Sequence, residues 1–236
     1  MIESHAVVSH TEWLEARRQL LAKEKAFTRE RDQLSAERRA LPWERVDKSY
    51  VFDTPKGKQT LADLFGACSQ LVVYHFMFGS DWEQPCKSCS FWADNLNGTP
   101  VHLRHRDVTL IAVTSASLAK IDALKQRLGW TFTMVSAGGS SFNHDYDVSF
   151  TRDELEAREV TYNYRPIKLS VTEQPGISVF YRNASGAVFH TYSCYSRGLD
   201  MMNGAYHYLD LVPKGRDEAN LHPPMQWVRL HDRYGD

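Results

Sequence analysis

The chain has little of what would place it in a membrane, in a secreted scaffold or on nucleic acid. Its 236 residues carry only four cysteines, too few and too scattered for a disulfide framework at this length. No apolar stretch reaches the ~20 residues that a membrane span needs. The first residues, Met1-Ile2-Glu3-Ser4-His5, lack the basic-then-apolar pattern of a secretion signal, so a cytoplasmic protein is expected. Net charge is −1, leaving no basic excess to hold a nucleic acid. There is no internal repeat and no low-complexity tract. What remains is 42% hydrophobic and 24% charged, the composition of a chain that folds around a core. The length suits one large domain or one domain with additions.

In a reducing compartment, two cysteines close together point to catalysis or metal binding more than to structure. Such a pair is present. An apolar run, Leu71-Val72-Val73-Tyr74-His75-Phe76-Met77-Phe78, ends at Gly79-Ser80. It is β-branched and aromatic and reads as a buried strand. The loop Asp81-Trp82-Glu83-Gln84-Pro85 leads to Cys86-Lys87-Ser88-Cys89 and the helical segment 90–96. A cysteine in the first turn of a helix meets unpaired N–H groups and the positive end of the dipole. Both favour the thiolate, the reactive form. The two-residue spacer lets a second thiol resolve a mixed disulfide formed by the first. A structural zinc site wants four ligands. Cys68 and Cys194 are isolated, with no second Cys-x-x-Cys and no His-x-x-x-His, so no metal or cofactor is expected. Inert packing is the other bland reading of the pair.

The rest of the chain supplies a frame. Residues 9–41 predict one long helix, with Ser9-His10-Thr11-Glu12 as a capping box and Leu41-Pro42 as its end. Trp13, Leu20, Phe27, Leu34 and Leu41 recur every seven residues. The positions three and four further on are mostly charged, which is poor for a two-stranded coiled coil. The stripe is expected to pack on a globular surface, either its own or a second subunit's. Residues 60–65 predict a short helix. Residues 107–114 predict a second buried strand, 117–128 an amphipathic helix closed by Gly129, and 130–135 a third strand. That succession implies parallel pairing through right-handed crossovers. His102, Arg104, His105 and Arg106 read as a solvated basic face. Thr151 to Glu154 fits a second capping box. Residues 177–181 and 187–192, joined by the turn 182–186, read as a β-hairpin. Residues 198–208 read as a last helix, and 225–230 as a docking helical turn.

This order of elements resembles the thioredoxin fold: a central mixed sheet, a βαβ unit with the cysteine pair at the start of its helix, then a β-hairpin. Leu41-Pro42-Trp43, Tyr74 to Gly79, Cys86 to Phe91, His105 to Thr109, Phe189 to Ser193, Arg197 to Asp200 and Trp227-Val228-Arg229 narrow the resemblance. Together they resemble a bacterial thioredoxin-like family, domain of unknown function 899, whose members are described as predicted dithiol-disulfide oxidoreductases. The resemblance implies a helical extension over 1–45, a thioredoxin-like domain over 46–212 and a C-terminal tail over 213–236 that docks on it. It implies Cys86 as the attacking thiol and Cys89 as the resolving one. It implies a cis-proline at Pro175, ahead of Gly176, facing the pair and holding a substrate strand. Trp82 and Pro85 would complete the substrate-binding set, with Pro85 standing where thioredoxin has a tryptophan.

Three functions compete at this point. The first is a thiol-disulfide oxidoreductase that cycles Cys86 and Cys89 between dithiol and disulfide, served by an external thiol reductant. The second is a peroxiredoxin-like thiol peroxidase; residues 53–64 resemble the start of such proteins, although the expected Pro-x-x-x-Thr/Ser-x-x-Cys is broken by Glu83. The third is a non-enzymatic thioredoxin-like binding module. A homodimer through the N-terminal helix is compatible with each.

Overall fold

A computed structural model describes residues 5–157 and 159–235. The chain forms two compact units, Met1–Pro42 and Trp43–Asp236. The first is the helix α1 (His10–Arg39). The Ser9 side chain accepts from the Glu12 N–H while the Glu12 carboxylate accepts from the Ser9 N–H, the reciprocal box that the sequence predicts. No residue of α1 is buried; Trp13, Leu20, Phe27 and Leu34 all stand exposed. Among the described residues no helix is long and apolar enough to cross a membrane.

The second unit starts with β1 (Glu44–Arg45), the hairpin β2 (Val51–Thr54) and β3 (Gly57–Thr60), and α2 (Leu61–Leu64). Then follow β4 (Gln70–His75), α3 (Lys87–Ala93), α4 (Thr99–Arg104), β5 (Val108–Thr114), α5 (Leu118–Leu128) and β6 (Thr133–Ser136). Two short helices, α6 (Phe142–Asp145) and α7 (Arg152–Ala157), precede the small hairpin β7 (Val160–Tyr162) and β8 (Arg165–Ile167). The long hairpin β9 (Gly176–Arg182) and β10 (Val188–Tyr195) leads through a 3-10 segment, Ser196–Met202, to α8 (Gly204–Leu209).

Eight strands form one sheet in the order β1-β10-β9-β4-β5-β6-β2-β3. β4, β5 and β6 are parallel, while β9 runs antiparallel to both β4 and β10. This is the thioredoxin-like fold. Strand β4 is paired on both edges and buried on both faces, which explains its unbroken apolar run. Leu71 and Val73 join Phe52, Phe65, Phe142 and Phe180 on one side. Tyr74 and Phe76 join Trp92, Ile121, Met134 and Trp130 on the other.

The structure corrects several expected boundaries. The apolar run continues to Phe78, but β4 ends at His75. His75 is the last residue paired with β9, at Gly176, and with β5, at Val113; a single further bond, from the Phe76 N–H to the Val113 carbonyl at 2.8 Å, ends the ladder. The third strand starts at Thr133, opposite Ile111 of β5. Trp130, Thr131 and Phe132 alternate buried, exposed and buried, but the Trp130 N–H is bound by the Lys125 carbonyl and the Thr131 N–H by Asn97 Oδ1 instead of a strand. The basic stretch 102–106 is half helical, being the end of α4. The expected helix over 198–208 is split at Asn203, whose side chain accepts the Tyr206 N–H and starts α8 afresh. Strand β3 is polar and lacks alternation, so its pattern gave no strand signal. The Gln174–Pro175 bond is not cis; among the described residues the cis bond is His222–Pro223. The Gln174 N–H donates to the Val148 carbonyl at 2.8 Å, which ties the chain down just before β9.

A buried polar chain crosses the sheet beside β4. His75 is 1% exposed. Its Nδ1 faces Asn143 Oδ1 at 3.1 Å and its Nε2 faces Ser178 Oγ at 2.9 Å. Ser178 meets Ser193, and Ser193 meets His190. Burial pushes His75 down to about 4. The unfolded chain, titrating near ~6.5, therefore binds more protons between these values. The neutral imidazole stabilises the fold above that window, and the stabilisation is lost as pH falls through it. Glu173, pushed up by burial to about 7, works in the opposite sense over ~4.5–7, so the comparison must isolate His75. Unfolding free energies of the wild type and His75→Gln, measured from pH 7 to pH 4, should converge by ~3 kcal/mol as pH falls. A gap that stays constant with pH would refute the neutral buried imidazole.

Candidate active site

Beyond β4 the chain doubles back. The Cys86 N–H donates to the Met77 carbonyl at 3.0 Å, and this bond sets Cys86 at the end of the central strand. Cys86 is the N-cap of α3, with φ −60° and ψ 122°. Its carbonyl accepts from the Ser90 N–H and the Ser90 hydroxyl, both at 3.0 Å. Pro85, just ahead, is buried and has no N–H that needs a partner at this turn.

The two thiols differ. Cys86 is partly exposed and Cys89 is buried. Cys86 is drawn down to about 6, first because the Cys89 thiol donates a hydrogen bond to its sulfur. Burial opposes this; the backbone N–H groups of Cys89 and Ser88 and the Ser88 hydroxyl assist it. These N–H groups act as nearby dipoles, since the neutral thiol forms no cap hydrogen bond. Burial pushes Cys89 well above the usual thiol range, and its role as donor to Cys86 pushes it further. One sulfur is thus prepared as a thiolate at neutral pH and the other holds its proton.

Both cysteines line a cavity of about 420 Å³. Tyr74, Met77 and Trp92 form its inner wall, and Pro175 stands on the side of the long hairpin. The 3-10 segment adds Ser196, Arg197, Leu199 and Asp200. Tyr206 and the tail residues Arg216, Glu218, Pro223, Pro224 and Met225 close the outer side. The charged groups are engaged. Asp200 accepts from Arg197 and Arg216, and Arg216 also binds Asp210 at 2.8 Å. The Arg216 guanidinium lies 4.0 Å from the centre of the Tyr206 ring. Glu218 accepts from the Tyr206 hydroxyl at 2.8 Å and from Trp227 Nε1 at 2.6 Å. Lys87 donates to the Gln226 carbonyl.

Of the residues singled out from sequence, Cys86, Cys89 and Pro175 meet in this cavity. Trp82, Pro85 and Gly176 are not among its lining residues. Trp82 lies on Gly79 so closely that a Cβ there would stand 2.7 Å from the indole, which makes it a packing residue of the loop. Gly176 faces the Tyr195 ring, 2.8 Å from where a Cβ would be, so its small size serves the hairpin. Cys68 is buried at the opposite end of β4, and Cys194 packs in the core with its sulfur 3.6 Å from the Gly198 carbonyl. Sequence reasoning missed Arg197, Arg216 and Glu218, which are remote from the pair in the chain. Among the described residues, no group of three or more His, Cys, Asp or Glu side chains is placed to hold a metal ion.

The chain belongs to the family described as "Bacterial protein of unknown function (DUF899)", whose model matches residues 2–234. No curated protein matches it. Among solved structures it is similar to a cysteine-to-serine mutant of PrxQ from Xylella fastidiosa, at 14% identity and TM-score 0.44, over 67% of this chain and 89% of that one. Another such mutant, peroxiredoxin Q from Xanthomonas campestris, gives 14% identity and TM-score 0.45 over 67% and 90%. Peroxidoxin BcpB from Mycobacterium tuberculosis gives 8% and 0.44 over 70% and 94%. Nothing about chemistry follows from likeness at this level.

The Cys89 thiol is the first cause of the low Cys86 value. Alkylation of Cys86 by iodoacetamide, followed from pH 4 to pH 9, should have its midpoint near the value of about 6. Cys89→Ala should move the midpoint up by about one unit or more, because the donor is gone. Cys89→Ser keeps a donor and should move it less. Equal midpoints in all three proteins would contradict this assignment.

Proposed function

We propose that the protein is a thiol-disulfide oxidoreductase in which Cys86 attacks and Cys89 resolves. The observation that carries this reading is the asymmetric pair: one partly exposed thiol drawn down to about 6, hydrogen-bonded to a buried thiol held above its usual range. Attack needs a thiolate at working pH, and resolution needs a second sulfur within reach. A value near 6 lies closer to the ~7 of a reducing Cys-x-x-Cys pair than to the ~3.5 of a strongly oxidising one. This supports the reducing direction, with regeneration by an external thiol.

A thiol peroxidase is the second reading, favoured by the two arginines, Arg197 and Arg216, that line the same cavity. It is the weaker one, because both guanidiniums are already bound to carboxylates and a peroxide would have to compete for their donors.

Equilibration in graded glutathione buffers, with alkylation and peptide mass analysis, should show a reversible Cys86–Cys89 disulfide. Its potential should fall at about −220 mV or below. Cys86→Ser should abolish reduction of a disulfide substrate, and Cys89→Ser should accumulate a mixed disulfide on Cys86. Thiols that never pair would reject the oxidoreductase and leave a binding module. Turnover of hydrogen peroxide but of no disulfide would select the peroxidase.

A further inference from the structure

The cavity beside Cys86 has a shape that bears on what is reduced. A reductant of protein disulfides must let an extended segment of its partner lie across the reactive sulfur, with exposed backbone to pair against it. Here that approach is narrowed. The tail folds over the start of α3, where the Lys87 ammonium holds the Gln226 carbonyl at 2.8 Å. Glu218 ties Tyr206 to Trp227. Val228 and Leu230, at 0% and 5% exposed, anchor the tail beyond this point. What is left at the sulfur is a pocket of about 420 Å³, within the ~300–1,000 Å³ of small-molecule sites. Apart from the Ser88 and Ser196 side chains and the polar groups already bound to one another, its walls are carbon and thioether: Met77, Trp92, Pro175, Leu199, Pro224 and Met225.

We propose that the substrate of the Cys86–Cys89 pair is a low-molecular-weight organic disulfide with a largely apolar body that fills this pocket, and not a protein disulfide. The proposal rests on the oxidoreductase reading of the same site. The Cys86 thiolate attacks one sulfur of R–S–S–R; a Cys86–S–R bond forms and one RS⁻ leaves. Cys89, losing its proton, attacks Cys86; the Cys86–Cys89 disulfide forms and the second RS⁻ leaves. The substrate gains two electrons and, with two protons, becomes two thiols. An external dithiol takes the protein disulfide back to the reduced pair.

The test uses the reduced full-length protein and a series of symmetrical dialkyl disulfides, from dimethyl to dihexyl, with insulin as the protein disulfide. Formation of the Cys86–Cys89 bond is read by rapid quench, alkylation and mass. The rate constant should rise about fourfold for each CH₂ group buried and stop rising when the pocket is full. Insulin should react at least a hundredfold more slowly than the best dialkyl disulfide. Met225→Trp should bring the plateau to a shorter chain, and Met225→Ala should take it to a longer one. Met225 is partly exposed, so both changes should be tolerated. A flat series, a plateau that neither variant moves, or faster oxidation by insulin would overturn the proposal and leave the oxidoreductase reading standing. A protein that no disulfide of either kind oxidises would fail that reading itself, and this proposal with it.

Discussion

The site depends on one backbone hydrogen bond, from the Cys86 N–H to the Met77 carbonyl at 3.0 Å. Strand β4 is held on both edges up to His75; beyond it β9 is lost, and the Phe76 N–H makes one last bond, to the Val113 carbonyl of β5 at 2.8 Å. A chain released from a central strand would ordinarily run out into solvent. Instead the loop 79–85 turns back on itself, with Trp82 seated on Gly79 and the Lys120 ammonium bound to the Ser80 and Trp82 carbonyls, both at 2.8 Å. The Met77 bond then fixes where α3 begins. Rigid positioning of this kind matters for thiol exchange, because the three sulfurs of the reaction must approach in line.

Around that point the sheet supplies stiffness and the tail supplies shape. Both faces of β4 are buried, against Phe52, Phe65 and Phe180 on one side and Trp92 and Phe76 on the other. The polar row from His75 through Ser178 and Ser193 to His190 runs on the Phe142 and Phe180 side, where both imidazoles pack on aromatic rings, with its groups satisfied, the condition under which a buried polar chain specifies one arrangement without a large penalty. The tail contributes little to the sheet. Its Arg216, bonded to Asp200 and Asp210 and stacked on Tyr206, instead locks the outer wall of the cavity to the 3-10 segment after β10.

The cysteine half of the cavity could be read from the sequence because it is local. Strand, loop, Cys86, Cys89 and helix are consecutive, and each carries a short-range signal. Ser9 and Glu12, and Thr151 and Glu154, were legible for the same reason: a capping box is written within four residues. The outer half of the cavity was not. Arg197 and Asp200 stood in a motif of the family resemblance, and Arg216 and Glu218 in the charged tail; neither stretch carried a signal of nearness to Cys86, and only tertiary packing brings them there. Edge strands were missed where pairing, not side-chain pattern, defines them: β1 has two residues and β3 is polar. Pro175 lines the cavity, but the bond before it is not the cis one expected, because a fold-level resemblance does not fix the isomer of one peptide bond.

The same geometry explains how the second thiol can act although it starts out protonated. Two of the causes that hold Cys89 above the usual thiol range come from Cys86: its sulfur accepts the Cys89 proton, and its charge repels a second one. Both vanish once Cys86 is part of a mixed disulfide, since its sulfur is then neutral and a poor acceptor. Burial still raises Cys89, but the Met77 N–H and the Tyr74 hydroxyl act the other way and favour its thiolate. In the proposed cycle, the attack by Cys86 therefore itself brings Cys89 toward the form that resolves it. The buried thiol gains its reactivity when it is needed, without a separate base, and before that step its proton serves to keep Cys86 ionised.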